Sequence, residues 1–154
     1  MKTNALRLLD AAKIKYETVN YDVDESDLSA VHVAACLGED IACVFKTLVL
    51  RGDRTGVFVC IIPSDKEVDL KKAAKASGNK SCAMTKMQEL LPLTGYIRGG
   101  CSPIGMKRQY PMFIHDTCMQ FEKIYVSAGC RGMQVHIATQ DLIRFARLTV
   151  GDLV

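Results

Sequence analysis

The sequence predicts a single α/β domain over residues 1–154. Its length of 154 residues is typical of one domain, and 49% of the residues are hydrophobic. Only 6% are aromatic and Trp is absent, so the core has to be built from aliphatic side chains. Short apolar runs of strand type alternate along the chain with segments of helical periodicity. These features exclude a disordered tail protein and favour a compact domain of mixed secondary structure.

The N-terminal segment predicts a helix followed by a strand. Thr3 can cap a helix in which Leu6, Leu9 and Ile14 follow helical spacing. A strand is predicted over residues 16–21, directly before the acidic loop.

An acidic loop, a short helix and a hairpin come next. Residues 22–27 form the acidic loop, and Ser29 is a suitable N-cap for a helix that ends at Gly38. The runs 44–50 and 57–62 are apolar and rich in β-branched residues, and they flank the turn sequence Arg-Gly-Asp-Arg-Thr-Gly. They predict a hairpin at the centre of a sheet.

The lysine-rich segment 69–77 predicts an amphipathic helix. Leu70, Ala73 and Ala74 share one side of it, and Gly78 follows its end. Polarity of this kind is also typical of a solvated helix face, so the lysines alone do not define a binding surface.

The last part of the chain alternates a short helix, three strands and a terminal helix. Thr85 and Gln88 fit a capping box that opens a helix through Leu91. Thr139 can cap the terminal helix, and the last two strands face each other across residues 128–132. The strands are predicted over 112–115, 124–127 and 133–138.

The net charge of +3 conceals two segments of opposite sign. Residues 17–45 carry seven acids and no Lys or Arg, whereas residues 66–86 carry six lysines and two acids. Such an asymmetry favours an oriented approach to an anionic partner, for example a phosphate backbone.

The cysteines and the N-terminus indicate a cytoplasmic protein without a membrane segment. Seven scattered cysteines are odd in number and too few for a disulfide-dense scaffold, which predicts reduced thiols. Arg7 and Asp10 interrupt the apolar stretch that a signal peptide needs, and no apolar run is long enough to span a bilayer.

Several common sites are excluded by spacing. His32 and Cys36 lie four residues apart but lack the further ligands that zinc needs, so neither a metal nor a cofactor is expected. The chain has no nucleophile elbow, P-loop or dinucleotide fingerprint. None of the possible Cys–His pairs is singled out by the sequence, so the cysteines are interpreted as mostly structural.

Three local features are compatible with chemistry, although each is weak alone. Lys46 lies within an apolar strand, where it is either an outward-facing residue, which the pattern favours, or a cation placed in a cleft. The glycines of 99–105 could form an oxyanion or phosphate nest, although a tight turn is their commoner use. Residues 127–132 join two strands through a segment that contains a hydroxyl and an arginine.

Five short motifs in a fixed order resemble the YbaK (EbsC) family, which is related to the editing domain of prolyl-tRNA synthetases. The resemblance covers essentially the whole chain. The motifs are Phe45-Lys-Thr-Leu-Val49, Leu70-Lys-Lys-Ala-Ala-Lys75, Thr94-Gly-Tyr96, Gly99-Gly-x-Ser-Pro-x-Gly105 and Ile124-Tyr-Val-Ser-Ala-Gly-x-Arg-Gly132.

This resemblance implies an α+β fold with a mixed, largely antiparallel sheet that curls towards a barrel, surrounded by helices. It also implies hydrolysis of a mischarged aminoacyl-tRNA, foremost Cys-tRNA(Pro), in which the substrate's thiol attacks its own ester carbonyl. Cysteine and proline are similar in volume, so a synthetase pocket rejects the wrong one poorly and a separate editing site is needed. The implied partners are the tRNA acceptor end and a prolyl-tRNA synthetase, with no membrane and no DNA.

The resemblance also assigns roles to individual residues. Lys46 holds the acceptor end, and the amides of Gly99 and Gly100, helped by Ser102, stabilise developing negative charge. A second group lines the aminoacyl pocket or supports Lys46: Tyr21, Thr47 and Ser127. A third group, on the predicted lysine-rich helix, contacts the tRNA backbone: Lys71, Lys72 and Lys75.

Three departures from the family pattern leave loop shape, tRNA contact and substrate choice open, and a fourth position has two interpretations. Ala128, Cys130 and His136 depart from the family pattern, and Cys101 beside the proposed oxyanion glycines is either structural or redox-sensitive. The alternatives are a deacylase that uses a bound water on another substrate, such as Ala-tRNA(Pro), or a catalytically silent tRNA- or nucleotide-binding module.

Overall fold

The computed structural model describes residues 2–154, apart from the side chain of Ala30. Its helices are Asn4–Ala11 (α1), Ala30–Leu37 (α2), Leu70–Ser77 (α3), Leu90–Thr94 (α4) and Thr139–Ala146 (α5). Its strands are Tyr16–Asn20 (β1), Phe45–Gly52 (β2), Gly56–Pro63 (β3), Cys82–Met84 (β4), Met112–His115 (β5), Lys123–Ser127 (β6), Met133–Ala138 (β7) and Leu148–Gly151 (β8). Short 3-10 segments are formed by Ile41–Cys43, Met87–Glu89 and Asp116–Gln120.

The strands form two sheets, which confirms the predicted mixed and largely antiparallel architecture. The larger has the order β4-β2-β3-β5-β8, with the predicted β2–β3 hairpin inside it, and the smaller has the order β1-β7-β6. The β3–β5 and β5–β8 pairs are parallel, and the other pairs are antiparallel. A single bridge between Val44 and Tyr125 joins the sheets, and the described strands do not close into a barrel.

Both faces of β3 are buried, which explains its near-continuous apolar run. The main core packs one face of β3, through Val59 and Ile61, against α1, β6, β7 and α5. A second core places Phe58 and Ile62 of the other face against Ala73 of α3. Truncating a residue such as Ile61 to Ala is expected to cost about 2–5 kcal/mol of folding free energy.

The predicted caps of the first two helices are confirmed, but the predicted reach of α1 is wrong. The hydroxyls of Thr3 and Ser29 accept hydrogen bonds from the amides of Leu6 (3.2 Å) and His32 (3.3 Å). Helix α1 ends at Ala11, so Ile14 lies beyond it and packs against the main core from the connecting segment.

Helix α3 forms where it was predicted, but one residue expected on its buried side is exposed. Asp69 caps it by accepting hydrogen bonds from the Lys71 and Lys72 amides at 2.9 and 3.1 Å. Ala73 and Ala74 are buried, but Leu70 in the first turn is 42% exposed. The buried stripe is therefore narrower than the apolar periodicity indicated.

Two predicted caps are wrong because the hydroxyls are used elsewhere. Thr85 does not open a capping box: its Oγ1 donates to the carbonyl of Val49 at 2.9 Å, and the Lys86 amide donates to the Glu89 carboxylate instead. Thr139 is the first residue of α5 rather than its cap, and its Oγ1 donates to the carbonyl of Phe121 at 2.7 Å. Both hydroxyls tie a helix to a neighbouring segment.

Candidate active site

A cleft of about 650 Å³ lies along the N-terminal half of β2. One wall comes from α2 and the residues before it, and the other from the segment between β4 and α4. The residues after β3, the glycine loop (residues 99–105) and the β6–β7 pair complete the cleft. Its polar lining consists of Ser29, Lys46, Thr47, Ser64, Asp65, Lys66, Glu67, Thr85, Lys86, Arg98, Ser127 and Gln134.

Lys46 lines this cleft, so the outward-facing interpretation that the strand pattern favoured is wrong. Its side chain is half-buried, and this burial lowers the pKa of the ammonium, while nearby Glu67 and Asp65 act in the opposite direction. The cleft thus holds a cation that is partly desolvated and has no salt-bridge partner within 4.0 Å among the described residues. Such a charge is available to an anionic or carbonyl oxygen of a ligand.

Thr47 also lines the cleft, but it does not contact Lys46 through a hydrogen bond. Successive strand residues point to opposite faces, so Thr47 shares the face of Phe45 and Val49, while Lys46 lies on the other. Its Oγ1 is buried and has no hydrogen-bond partner in the described part of the chain. Thr47 therefore does not support Lys46 directly.

Ser127 and Gln134 form a cross-strand pair at the floor of the cleft. They are opposite each other in the antiparallel β6–β7 register, and both are buried. The Ser127 hydroxyl accepts a hydrogen bond from the Gly129 amide at 3.2 Å. Sequence reasoning missed Gln134, although the β6–β7 hairpin register would have placed it opposite Ser127.

The glycine loop contributes Gly99 to the cleft and uses Gly100 to hold its own shape. Gly99 has φ +83°, a conformation that glycine adopts without strain. The Gly100 amide donates to the Ile97 carbonyl at 2.9 Å, and a Cβ on Gly100 would come within 3.1 Å of the Cys130 backbone. The amide of Gly100 is therefore already engaged, whereas that of Gly99 makes no backbone bond of this kind among residues 2–154.

Ser102 and Tyr21 lie outside the cleft lining. Ser102 is fully buried, and its hydroxyl accepts a hydrogen bond from the Ile104 amide at 3.2 Å, so it supports the loop. Tyr21 lines a separate small pocket, together with His32 and Arg131. Arg131 in turn donates through Nε to the Arg98 carbonyl at 2.8 Å, which ties the glycine loop to the β6–β7 turn.

The predicted lysine cluster of α3 does not reach the cleft either. Lys71 and Lys75 are exposed on the helix, and neither lines the cleft. Lys72 is engaged: its ammonium lies 2.9 Å from the Asp152 carboxylate and donates to the Val154 carbonyl at 2.6 Å. The basic residues that do line the cleft, besides Lys46, are Lys66, Lys86 and Arg98.

Cys101 lines the cleft as a neutral thiol. Burial raises its pKa to about 12, so it is protonated at neutral pH and is a poor nucleophile. This favours the structural interpretation of Cys101 over the redox-sensitive one. Among residues 2–154, no group of three or more His, Cys, Asp or Glu side chains is arranged to hold a metal ion.

The three departures from the family pattern lie around the cleft rather than in it. Ala128 is fully buried, and its carbonyl accepts a hydrogen bond from the Thr3 hydroxyl at 2.6 Å. Cys130 provides the backbone against which Gly100 packs. His136 stacks on Tyr125 with ring centroids 4.1 Å apart. None of the three side chains belongs to the cleft lining.

Comparison with known proteins assigns the chain to a class. The family model described as an aminoacyl-tRNA editing domain matches residues 25–145. The family model and the curated relatives identify an aminoacyl-tRNA deacylase, a hydrolase of the ester bond that links an amino acid to tRNA. The chain belongs to the aminoacyl-tRNA editing-domain family, which confirms the resemblance seen in the sequence.

Individual relatives support this membership. An Enterococcus faecalis protein with the provisional name Cys-tRNA(Pro)/Cys-tRNA(Cys) deacylase EbsC is 46% identical over 156 residues, which cover 98% of this chain and 95% of that protein. The proline–tRNA ligase of Thermosipho melanesiensis is 25% identical over 120 residues, 72% of this chain and 21% of the ligase. A solved structure described provisionally as a trans-editing enzyme for prolyl-tRNA synthetase has the same fold, with TM-score 0.81, 20% identity and coverage of 99% and 98% of the two chains.

The described residues contain no helix that is both long and apolar enough to span a membrane.

Proposed function

We propose that this protein edits in trans, by hydrolysing mischarged Cys-tRNA(Pro). The observation that carries the proposal is the chemistry of the cleft: it holds a partly desolvated cation and an unpaired hydroxyl, but no histidine, and its one cysteine is protonated. Among the described residues, the lining therefore offers no histidine paired with a serine or cysteine, the usual source of a protein nucleophile, and its carboxylates are Asp65 and Glu67. A cysteinyl ester brings its own nucleophile, and the name of the Enterococcus faecalis relative points to the same substrate.

The reaction then proceeds by attack of the substrate's thiol on its own ester carbonyl. The thiol loses its proton, a C–S bond forms, the C–O bond to the ribose breaks, and the ribose oxygen takes up a proton. The resulting cyclic thioester is opened by water to free cysteine. In this intramolecular step the protein supplies orientation, which is worth about 7–11 kcal/mol of barrier in well-aligned cases, and electrostatic stabilisation.

Two groups stabilise the developing negative charge in this proposal. Lys46 holds the carbonyl oxygen or the acceptor-end phosphate by its charge, and the amide of Gly99 donates to the oxyanion. Gly100 and Ser102 act indirectly, because their hydrogen bonds fix the loop that carries Gly99. The aminoacyl side chain rests against the pair Ser127 and Gln134.

The remaining polar lining is suited to the tRNA end. Lys66, Lys86 and Arg98 stand around the cleft and replace the α3 lysines as our candidates for phosphate contacts. A net charge of only +3 favours weak intrinsic binding of tRNA. We therefore propose a cytoplasmic protein to which a prolyl-tRNA synthetase presents the mischarged tRNA.

A substrate panel tests the chemistry of the proposal. Under single-turnover conditions we expect rapid deacylation of Cys-tRNA(Pro) and little acceleration with Ser-tRNA(Pro), in which oxygen replaces the sulfur, or with Ala-tRNA(Pro). Each rate is divided by that of the same ester in buffer. Comparable acceleration of Ala-tRNA(Pro), which has no thiol, would contradict thiol attack and would indicate that a bound water attacks the ester.

A further inference from the structure

The edge of β2 that faces the cleft has no paired strand between the Val44 bridge and Leu50, where β4 begins to pair. The Val44 carbonyl accepts from the Ser64 amide at 2.8 Å on the β3 side, whereas the Val49 carbonyl accepts from the Thr85 amide at 3.1 Å on the opposite side. Strand β4 pairs with β2 only over Leu50–Gly52. At the other end, the bridge from Val44 to Tyr125 brings β6 alongside β2.

The backbone groups of Thr47 point towards this open edge. In an antiparallel strand, the amide and carbonyl of one residue face the same neighbour, and this direction alternates from residue to residue. Thr47, two residues before Val49, therefore directs both groups away from β3. No strand among the described residues pairs with it there.

The Thr47 side chain supplies a second, independent observation. Its buried Oγ1 has no hydrogen-bond partner among the described residues. A buried unpaired hydroxyl destabilises a fold by about 1–3 kcal/mol, and such groups are rare. Among the described residues, Thr117 in the 3-10 segment Asp116–Gln120 has the other one, but only Thr47 lines the cleft. Thr47, one residue of the cleft lining, thus provides a backbone amide donor, a backbone carbonyl acceptor and a hydroxyl.

We propose that Thr47 recognises the α-amino ester group of the substrate by adding it to the open edge of β2. The Thr47 amide donates to the ester carbonyl oxygen, and the Thr47 carbonyl and Oγ1 accept from the α-ammonium. This pairing is the one that an added strand makes with a sheet edge, shortened to one residue. The inference rests on the proposed function, because it names what the aminoacyl end contacts.

Recognition of this kind is independent of the amino acid's side chain. Thr47 reads the backbone atoms that all aminoacyl esters share, while Ser127 and Gln134 face the part that differs. Thr47 also fixes the carbonyl relative to Lys46, which lies on the other face of the same strand. It is therefore a substrate-binding residue that orients the ester for attack.

Two variants separate binding from folding. Thr47→Val keeps the β-branched shape and removes the hydroxyl. We expect kcat/KM for Cys-tRNA(Pro) to fall about tenfold, as for one lost hydrogen bond to a charged group, while Tm rises by about 2–4 °C because an unpaired buried hydroxyl is gone. Thr47→Ser, the matched control, should keep kcat/KM within a few-fold. A Thr47→Val protein with unchanged kcat/KM, or equal losses in both variants, would overturn the role of the hydroxyl.

The backbone contacts are tested with a modified substrate and a modified backbone. 3-Mercaptopropionyl-tRNA(Pro) keeps the ester and thiol but lacks the α-ammonium. After division by its rate in buffer, we expect its kcat/KM to be about 10–100-fold lower than that of Cys-tRNA(Pro). Replacing Thr47 by its α-hydroxy acid removes only the amide donor, and should slow both substrates by a similar factor.

The outcomes distinguish this inference from the proposed function. If the wild-type protein deacylates Cys-tRNA(Pro) and the desamino ester equally well, the function stands and the ammonium contact is wrong. If neither ester is accelerated, the proposed function fails. In that case, binding of the non-hydrolysable amide, 3′-cysteinylamino-3′-deoxyadenosine, still tests the inference: loss of affinity without the α-ammonium supports it, and unchanged affinity overturns it.

Discussion

Buried polar groups near the two ends of strand β2 differ in whether they have hydrogen-bond partners. At the turn end, Asn79 is buried and fully used: it accepts from the Arg54 and Thr55 amides, both at 2.9 Å, and donates to the Thr55 and Ser77 hydroxyls, both at 2.8 Å. At the cleft end, the Thr47 hydroxyl is buried without a partner, and the pKa of Lys46 is lowered by burial.

This contrast distinguishes buried polar groups that stabilise the fold from groups that have no partner within the described chain. The Asn79 side chain fits only because Gly52 lacks a Cβ, which would lie 2.1 Å from the Asn79 amide nitrogen. Both polar atoms of the Asn79 side chain are thus paired within the chain. Since buried polar groups are nearly always paired, the unpaired hydroxyl that lines the cleft at the other end of the same strand supports the proposed binding site.

The largest expected effect is at the cleft end. Lys46→Ala removes the cation from the site, and we expect the single-turnover rate of Cys-tRNA(Pro) deacylation to fall about 10²–10³-fold, as for loss of one preorganised electrostatic contact. The fold should be retained, because Lys46 has no salt bridge to lose among the described residues. Lys71→Ala, on exposed α3, is the matched control and should have wild-type activity. A wild-type rate in Lys46→Ala would contradict a role of Lys46 in deacylation.

The opposite signature is expected at the turn end. Asn79→Ala should lower the free energy of unfolding by about 2–4 kcal/mol, since it removes four hydrogen bonds and leaves buried groups unpaired. Urea denaturation measures this loss. Deacylation at a temperature where the variant is folded should remain close to wild type. A large loss of activity there would mean that the two ends of β2 are coupled.

The smallest effect concerns the basic rim of the cleft. The double variant Lys66→Ala/Lys86→Ala should reduce the slope of log affinity against log salt, by about 0.7 for each phosphate contact to a single-stranded acceptor end. The comparison variant is Lys71→Ala/Lys75→Ala on α3, which should leave the slope unchanged. Binding of catalytically inert Cys-amide tRNA(Pro) at several salt concentrations gives both slopes. If instead the α3 double variant reduced the salt slope more, the α3 lysines would be the residues that contact the phosphates.

Local patterns in the sequence predicted most of the fold. The apolar runs defined the β2–β3 and β6–β7 hairpins, and Ser29 and Gly38 bounded α2, because each signal depends on neighbours along the chain. The edge strands β4 and β8 were missed: β4 has three residues, too few to show a period, and β8 follows α5 after the single residue Arg147, with no Gly or Pro between them. The caps expected at Thr85 and Thr139 failed because each hydroxyl binds a carbonyl distant in sequence.

The candidate site was only partly predictable for the same reason. Lys46, Gly99 and Ser127 were singled out by local features, received their roles from the family resemblance, and do meet in one cleft. The open edge at Thr47 depends on where β4 stops, and the place of Gln134 depends on hairpin register. The engagement of Lys72 depends on the position of the C-terminal residues. Such long-range contacts leave no local pattern.

The most direct measurement is single-turnover deacylation of Cys-tRNA(Pro) by the wild-type protein, with binding of the same tRNA recorded in parallel. If the unmatched groups of the cleft serve catalysis, free tRNA should form at least about 10²-fold faster than in buffer, as expected when orientation and electrostatics act together. Binding without any acceleration would contradict this, and would identify the protein as a catalytically silent tRNA-binding module.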